Sequence, residues 1–438
     1  MNKQQEASLT ATRHRREFLK TFGAVVGGLA INQFSFSSAE AKSSKSKSLP
    51  GISSLPSIGL VLPKSDICPH LGSNFADGMR VCFDQLDAQS GCGKGNLLVE
   101  EVETSRAAAV KKARHLITEG KAELLVGMMG PNTAIDLHDV LESNRTFLIL
   151  ADVGANVVRE SEQSPYVFHA SLGYWRSNWA MGEWAVRNVG RKAFVASSFY
   201  ESGYDALYAF RLGVEKAGGK IAQTYISHVP PNLVDMNHLM EAIKSVRPEF
   251  VFASYCGEEA VDFVKAYNAS GLLKQIPLVC SSFMVDEPLL KKLGPLTQDI
   301  RSCLSWTPRL RTHENTSFTT AFEEKTGRPA DAFAALGYET ARLIIDAVHA
   351  TGGNLRNNQG VRNAFRATTF TGPRGAVWMD PATHELLTPH YLREVRYANG
   401  GFVNEVIDEL KPAAEHNHTL VAFRGEIRTG WMNSYLMV

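Results

Sequence analysis

The chain has 438 residues, 44% of them hydrophobic, and a formal net charge of +1. At about 100–200 residues per domain, that length and apolar content favour two separate cores. The near-neutral balance gives no broad basic field, which excludes nucleic acid as an expected partner.

Residues 1–41 read as an export signal. Arg15-Arg16-Glu17-Phe18-Leu19-Lys20 precedes an apolar stretch from Thr21 to about Phe36, and Ala39-Glu40-Ala41 supplies small residues for cleavage. The paired arginines resemble the twin-arginine signal. The apolar stretch is shorter than the ~20 residues that span a bilayer, so the mature protein is expected to be soluble and periplasmic. Residues 42–56, opening on Lys-Ser repeats, are too polar to fold alone and read as a flexible linker.

From Ser57 onward, short apolar runs alternate with stretches of helical period, the pattern of βα units on a mostly parallel sheet. Strands are expected at 58–62, 97–102, 124–126 and 147–150. A helix opens at Ser105 with Val110, Ala113, Leu116 and Ile117 on one face. The rhythm restarts with a strand at 193–196. The next helix carries Leu207, Phe210, Val214 and Ala217 and stops at Gly218-Gly219. Strands at 250–253 and 276–279 follow, with a helix between them that carries Val261, Val264 and Tyr267 and ends at Gly271. Helical segments at 318–325 and 333–349 then precede short strands near Val377 and Tyr391.

Six cysteines are present. Cys82 and Cys92 flank a turn-like Ala88-Gln89-Ser90-Gly91 and are the first candidate disulfide, with buried free thiols as the alternative. Cys68-Pro69-His70 has no second Cys/His pair, so no metal site is expected. Gly91-Cys92-Gly93-Lys94-Gly95 lacks dinucleotide-loop spacing and precedes a strand, so it reads as a turn. His416 and His418 read as solvated tail. No nucleophile elbow, phosphate loop or His-Glu-x-x-His helix occurs, which argues against the rival reading of an exported α/β hydrolase. No cofactor is expected.

Ligands of open parallel sheets bind beyond the carboxyl ends of the strands. The loop after the third strand holds Gly130, Asn132 and Thr133, and the loop after the fourth holds Gly154, Ala155 and Asn156. Either loop could offer amides to a carboxylate or merely cap a helix. Ser65 follows the first strand. Aromatic residues gather at other strand ends: Tyr174 and Trp175, then Phe199, Tyr200 and Tyr204, then Tyr255, then Phe283. Such repetition suits an apolar cleft with a few polar anchors.

The chain resembles the leucine/isoleucine/valine-binding family of periplasmic substrate-binding proteins. The carriers are Ile58-Gly59-Leu60-Val61-Leu62-Pro63, Phe75-Ala76-Asp77-Gly78-Met79, Pro165-Tyr166-Val167-Phe168, Glu215-Lys216-Ala217-Gly218-Gly219, Asp331 to Tyr338 and Thr371-Gly372-Pro373-Arg374-Gly375, in family order. Gly154-Ala155-Asn156, Tyr255-Cys256-Gly257 and Tyr391-Leu392-Arg393-Glu394 look closest to members that bind benzoate-type acids.

The resemblance implies an α/β fold of two doubly wound parallel-sheet lobes joined by three crossovers. Lobe 1 would comprise 57–172 plus 306–373, and lobe 2 would comprise 173–305 plus 374–438. It further implies a non-enzymatic, monomeric protein that hands a small-molecule ligand to an ABC permease in the inner membrane. In this reading Ser65, Gly130, Asn132, Thr133, Gly154, Ala155 and Asn156 hold a ligand carboxylate from lobe 1. Trp175, Tyr200, Tyr204, Tyr255 and Phe283 close over its aromatic body from lobe 2. Family members that bind amino acids carry a serine pair after the third strand and an acidic residue after a later one. Here those positions read Gly130-Pro131 and Phe283-Met284, which disfavours an α-amino acid ligand. Asp152, Asp205 and Asp286 keep that alternative open, as does ligand sensing for a partner receptor.

Overall fold

The computed structural model describes residues 55–64, 70–90, 95–103, 105–154, 164–198, 201–227 and 235–410. The export signal, nearly all of the linker, the turn at 91–94, Cys68, Cys92, Ser65, Ala155, Asn156, Phe199, Tyr200, His416 and His418 lie outside the described residues.

The first run of elements is β1 (Ser57–Pro63), α1 (Leu71–Ser90), β2 (Asn96–Val102), α2 (Arg106–Thr118), β3 (Leu124–Gly127), α3 (Pro131–Asp136), α4 (His138–Asn144), β4 (Phe147–Asp152) and β5 (Val167–Ser171). The second is α5 (Tyr174–Asn188), β6 (Lys192–Ser198), α6 (Glu201–Lys216), β7 (Lys220–Ser227), α7 (Met236–Val246), β8 (Phe250–Ser254), α8 (Gly257–Ala269), β9 (Leu278–Cys280), a 3-10 turn at Ser282–Val285, α9 (Glu287–Leu293) and β10 (Arg301–Leu304). The third is α10 (His313–Thr326), α11 (Ala332–Ala350), α12 (Asn358–Arg366), β11 (Thr369–Gly372), β12 (Gly375–Asp380) and β13 (Glu385–Leu387), followed by β14 (His390–Ala398) and β15 (Gly401–Leu410).

Strand pairing sorts these into two sheets. One has the order β11-β12-β13-β5-β4-β3-β1-β2, the other β15-β14-β10-β9-β8-β6-β7. Strands β1, β3 and β4 are apolar on both faces and almost wholly buried, as expected of central parallel strands covered by helices. The chain leaves the first sheet after Ser171, returns after Leu304 and leaves again between Leu387 and His390. These three crossings join two α/β lobes.

The last crossing corrects the sequence expectation, which ended lobe 1 at Pro373 and gave 374–438 to lobe 2. Gly375, at φ +94°, instead turns the chain back in a hairpin that pairs Gly372 with Gly375. Strand β13 then lies parallel to β5, with Glu385 opposite His169. Residues 375–387 therefore belong to the first sheet.

Each lobe contains one helix pair in backbone contact. A methyl group at Gly78 would overlap the Ala334 carbonyl, and one at Gly337 would overlap the Phe75 carbonyl, so α1 and α11 cross at glycines. Gly182 and Gly213 do the same for α5 and α6 against the Phe210 and Trp179 carbonyls. Cys82, on the buried face of α1, is a free thiol that burial keeps protonated, in line with the alternative of buried free thiols, while Cys92 lies outside the described residues. Among the described residues no helix is long and apolar enough to cross a membrane, and no cluster of His, Cys, Asp or Glu could hold a metal ion.

Candidate binding site between the lobes

The carboxyl ends of β4, β8 and β9 meet the first crossing and the start of α5 at the seam between lobes. Gly173 is in the left-handed region, at φ +67°, and starts α5 directly after the crossing. The Ser171 hydroxyl donates to the Gly154 carbonyl and accepts from the Gly173 amide at 3.0 Å. Leu172 and Tyr174 donate their amides to Asp152 and Val153 at 3.1 and 2.9 Å. The loop after β4 is thereby pinned to the hinge.

Tyr174, the first residue of α5, projects to the seam. Its ring stacks on Phe283 of lobe 2 with centroids 5.5 Å apart, and Phe283 in turn stacks on Phe333 of lobe 1 at 5.9 Å, with planes 9° apart. Offset stacks of this kind add to the burial of the rings themselves. The Tyr174 hydroxyl lies 3.1 Å from the Ser254 hydroxyl, at the end of β8, and beside Ser281, after β9. Burial pushes its pKa up to about 12 despite those hydrogen bonds.

The buried hydroxyl of Ser281 meets Tyr174, while those of Ser282, next to Phe283, and of Thr133, at the start of α3, lack hydrogen-bond partners. Such groups are rare in folded proteins and mark places where something else supplies the partner. In lobe 2, Glu259 on α8 is 2% exposed and neither of its carboxylate oxygens has a partner. Burial, with Asp262 nearby, pushes it up to about 7. The buried Tyr255 hydroxyl, which meets that of Ser227, lies close to it.

Two carboxylates approach the seam from opposite lobes. Asp286 caps α9 by accepting from the Leu289 amide at 3.2 Å, and Asp331 caps α11 by accepting from Ala334 at 2.8 Å. Burial, then the neighbouring Glu287, pushes Asp286 up to about 7. Burial also raises Asp331, against the Asn74 amide that donates to it at 2.7 Å. Arg393, 1% exposed, donates only to neutral oxygens, those of Ser302, Trp306 and Ser282. It fixes the backbone of the turn that presents Phe283.

The residues expected from sequence divide into groups. Phe283 lies in the inter-lobe stack, Thr133 and Gly130 start α3 at the end of β3, and Gly154 lies against the first crossing. Tyr255 stacks on Phe263 at 5.1 Å inside the second core, and Trp175 packs with Trp179 and Ala209 between α5 and α6. Asn132 is on α3 and Tyr204 on α6, with side chains outside the described set. Phe333, Ser254, the Ser281-Ser282 pair and Glu259 were not anticipated. Ser281 and Ser282 lie in the loop between the expected strand and Phe283, where sequence reading singled out the ring and passed over the two small hydroxyl residues.

Two α/β lobes, three crossings and a seam lined with rings and hydroxyls define a two-lobed binding protein. The chain belongs to the periplasmic binding protein family, whose model matches residues 56–401. It is similar to Leu/Ile/Val-binding protein homolog 6 of Brucella melitensis, 25% identical over 353 residues that cover 78% of this chain and 88% of the relative. Among solved structures it is similar to an ABC transporter substrate-binding protein from Sphaerobacter thermophilus, at 26% identity and a TM-score of 0.76, covering 82% of this chain and 98% of that one. It is also similar to a solute binding protein of an ABC transporter from R. palustris in complex with benzoate, at 25% identity and a TM-score of 0.70, covering 82% and 97%. The chain is thus an ABC-type substrate-binding protein, of a class that binds small molecules and works with a membrane permease.

Proposed function

We propose that this protein is exported to the periplasm, captures a small aromatic carboxylate between its lobes and delivers it to an inner-membrane ABC permease. The observation that carries the ligand class is the stack of Tyr174, Phe283 and Phe333 across the seam, with the buried hydroxyls of Ser281 and Ser282 beside it. A flat ring stacks against such rings, and a carboxylate accepts hydrogen bonds from such hydroxyls. Gly130, Asn132, Gly154, Ala155, Asn156 and Ser65 are the further lobe 1 contacts of this reading, with Tyr200 and Tyr204 from lobe 2. Tyr255 and Trp175 support the pocket from behind. The benzoate-bound relative supports the same ligand class. Export through the twin-arginine route rests on Arg15 and Arg16, and replacing both with lysine should leave precursor in the cytoplasm.

A second reading, a branched-chain amino acid, has one specific observation in its favour. Asp286 and Asp331 stand at the seam and could face an ammonium group, and the similar Brucella protein is named for such ligands. Thermal unfolding with benzoate, 4-hydroxybenzoate and 3,4-dihydroxybenzoate beside leucine and valine separates the two. A true ligand at ~100 times its dissociation constant stabilises the fold by about 2.7 kcal/mol. A shift with leucine or valine and none with any aromatic acid would reverse the assignment and leave the fold untouched.

A further inference from the structure

We propose that Arg374 and Glu339 are the positioning residues of the hinge, coupling all three crossings so that they turn as one. Both side chains are fully buried. Glu339 is on α11, the central helix of lobe 1, and accepts from the Arg374 amide at 2.9 Å and from its Nε at 2.7 Å. With the guanidinium so fixed, its Nη1 donates to the Ser171 carbonyl at 2.6 Å, on the first crossing, and to the Ser305 hydroxyl at 3.3 Å, on the second. Ser305 donates onward to the Leu172 carbonyl at 2.9 Å. From the third crossing, the Tyr391 hydroxyl donates to the Arg374 carbonyl at 2.9 Å. One residue therefore bonds to every strand of chain that passes between the lobes.

The local sequence is shaped around this contact. A side chain at Gly372 would collide with the Glu339 carboxylate, and one at Gly375 with the Tyr391 hydroxyl. The run Thr371-Gly372-Pro373-Arg374-Gly375 thus places an arginine between two residues that must lack side chains. A second buried pair, Arg176 to Glu385 at 2.5 and 2.6 Å, joins α5 of lobe 2 to β13 of lobe 1 beside the same hinge. Planar, doubly bonded pairs of this kind fix orientation as well as distance. His390 lies near both, donating to or accepting from the backbone at Gly173 and Thr388.

A buried pair broken on one side leaves an uncompensated charge, so truncating Arg374 or Glu339 tests folding as much as the hinge. Ser305→Ala removes two hydrogen bonds of the network and Tyr391→Phe removes one, and both keep the pair. The readout is amide hydrogen exchange of the ligand-free full chain, with small-angle scattering on the same samples. In both variants the Leu172 and Tyr174 amides should exchange at least about fivefold faster, as the loss of one hydrogen bond (Tyr391→Phe) or two (Ser305→Ala) implies, while Val126 and Phe252 in the two sheets keep their rates. The radius of gyration should rise above that of the parent protein. Unchanged exchange at Leu172 and Tyr174, or an equal rise at all four amides, would overturn the coupling. The coupling is independent of what the cleft holds, so failure of the aromatic-acid reading would leave this result standing.

Discussion

A carboxylate buried without a donor is driven to keep its proton, and Glu259 is in that position. Its pKa of about 7 lies above the ordinary 4.5, so the folded state holds the proton over a range where the unfolded chain has released it. The associated stability is fully present below pH 4.5 and is lost as pH rises to about 7, by about 3 kcal/mol in all. Glu259→Gln should escape that loss: its melting temperature relative to the parent should climb between pH 4.5 and 7 and level off above. Parallel melting curves across that range would show the carboxylate to be solvated. The rings make a second contrast at this scale. Phe283→Ala removes the middle of the inter-lobe stack and should weaken ligand binding by about 1–3 kcal/mol, two aromatic contacts, with the lobes still folded. Tyr255→Phe leaves the stack intact and should bind nearly as the parent does. Titration calorimetry on both variants, with whichever ligand the thermal screen returns, distinguishes them.

At the scale of helices and strands, close approach dominates. Gly337→Ala pushes a methyl into the Phe75 carbonyl and should destabilise the protein by about 1–3 kcal/mol or more, since backbone cannot move aside as a side chain can. Gly218→Ala meets open space and costs only the strain of its φ of +81°, about 1 kcal/mol. Chemical denaturation of the two variants gives the order. The elements that were legible in the sequence are those with an apolar run or a one-sided helical stripe, such as β1, β4, β8 and α2. Strand β10 reads Arg-Ser-Cys-Leu, polar yet buried, because Ser302 lies in register with Arg393 and shares its hydrogen bonds. Periodicity has no means of seeing that. β7 is an exposed edge strand with little apolar signal, and β13, three residues long, is defined only by its distant partner β5. The candidate site was legible as loops after strands, which found Phe283 and Thr133. It was not legible where a ring crosses the seam from the far lobe, as Phe333 does, since nothing local in the sequence marks that meeting.

For the molecule as a whole, Asp286 and Asp331 meet the seam from opposite lobes, where closure on a ligand would bury them further. Burial makes both hold their protons more tightly than a solvated carboxyl, so a closing motion that buries them further would take up protons and become easier as pH falls through about 7, the value for Asp286. Ligand affinity should therefore rise between pH 8 and pH 6, with proton uptake visible as a dependence of binding heat on the buffer's ionisation enthalpy. Affinity flat with pH would mean that the two carboxyls stay apart or hydrated in the bound form. The return of β13 to the first sheet has a further consequence, for the order of folding. Neither lobe is continuous in the chain: β5 waits for a partner strand from beyond the whole of the second lobe, and Arg176 waits for Glu385, 209 positions on. Such distant pairings carry a large loop-closure cost and fold slowly. A nascent chain halted before Glu385 would expose the β5 edge and strand the Arg176 charge, a state prone to misassociation. Completion of the first sheet thus waits until ribosomal synthesis has passed Leu387.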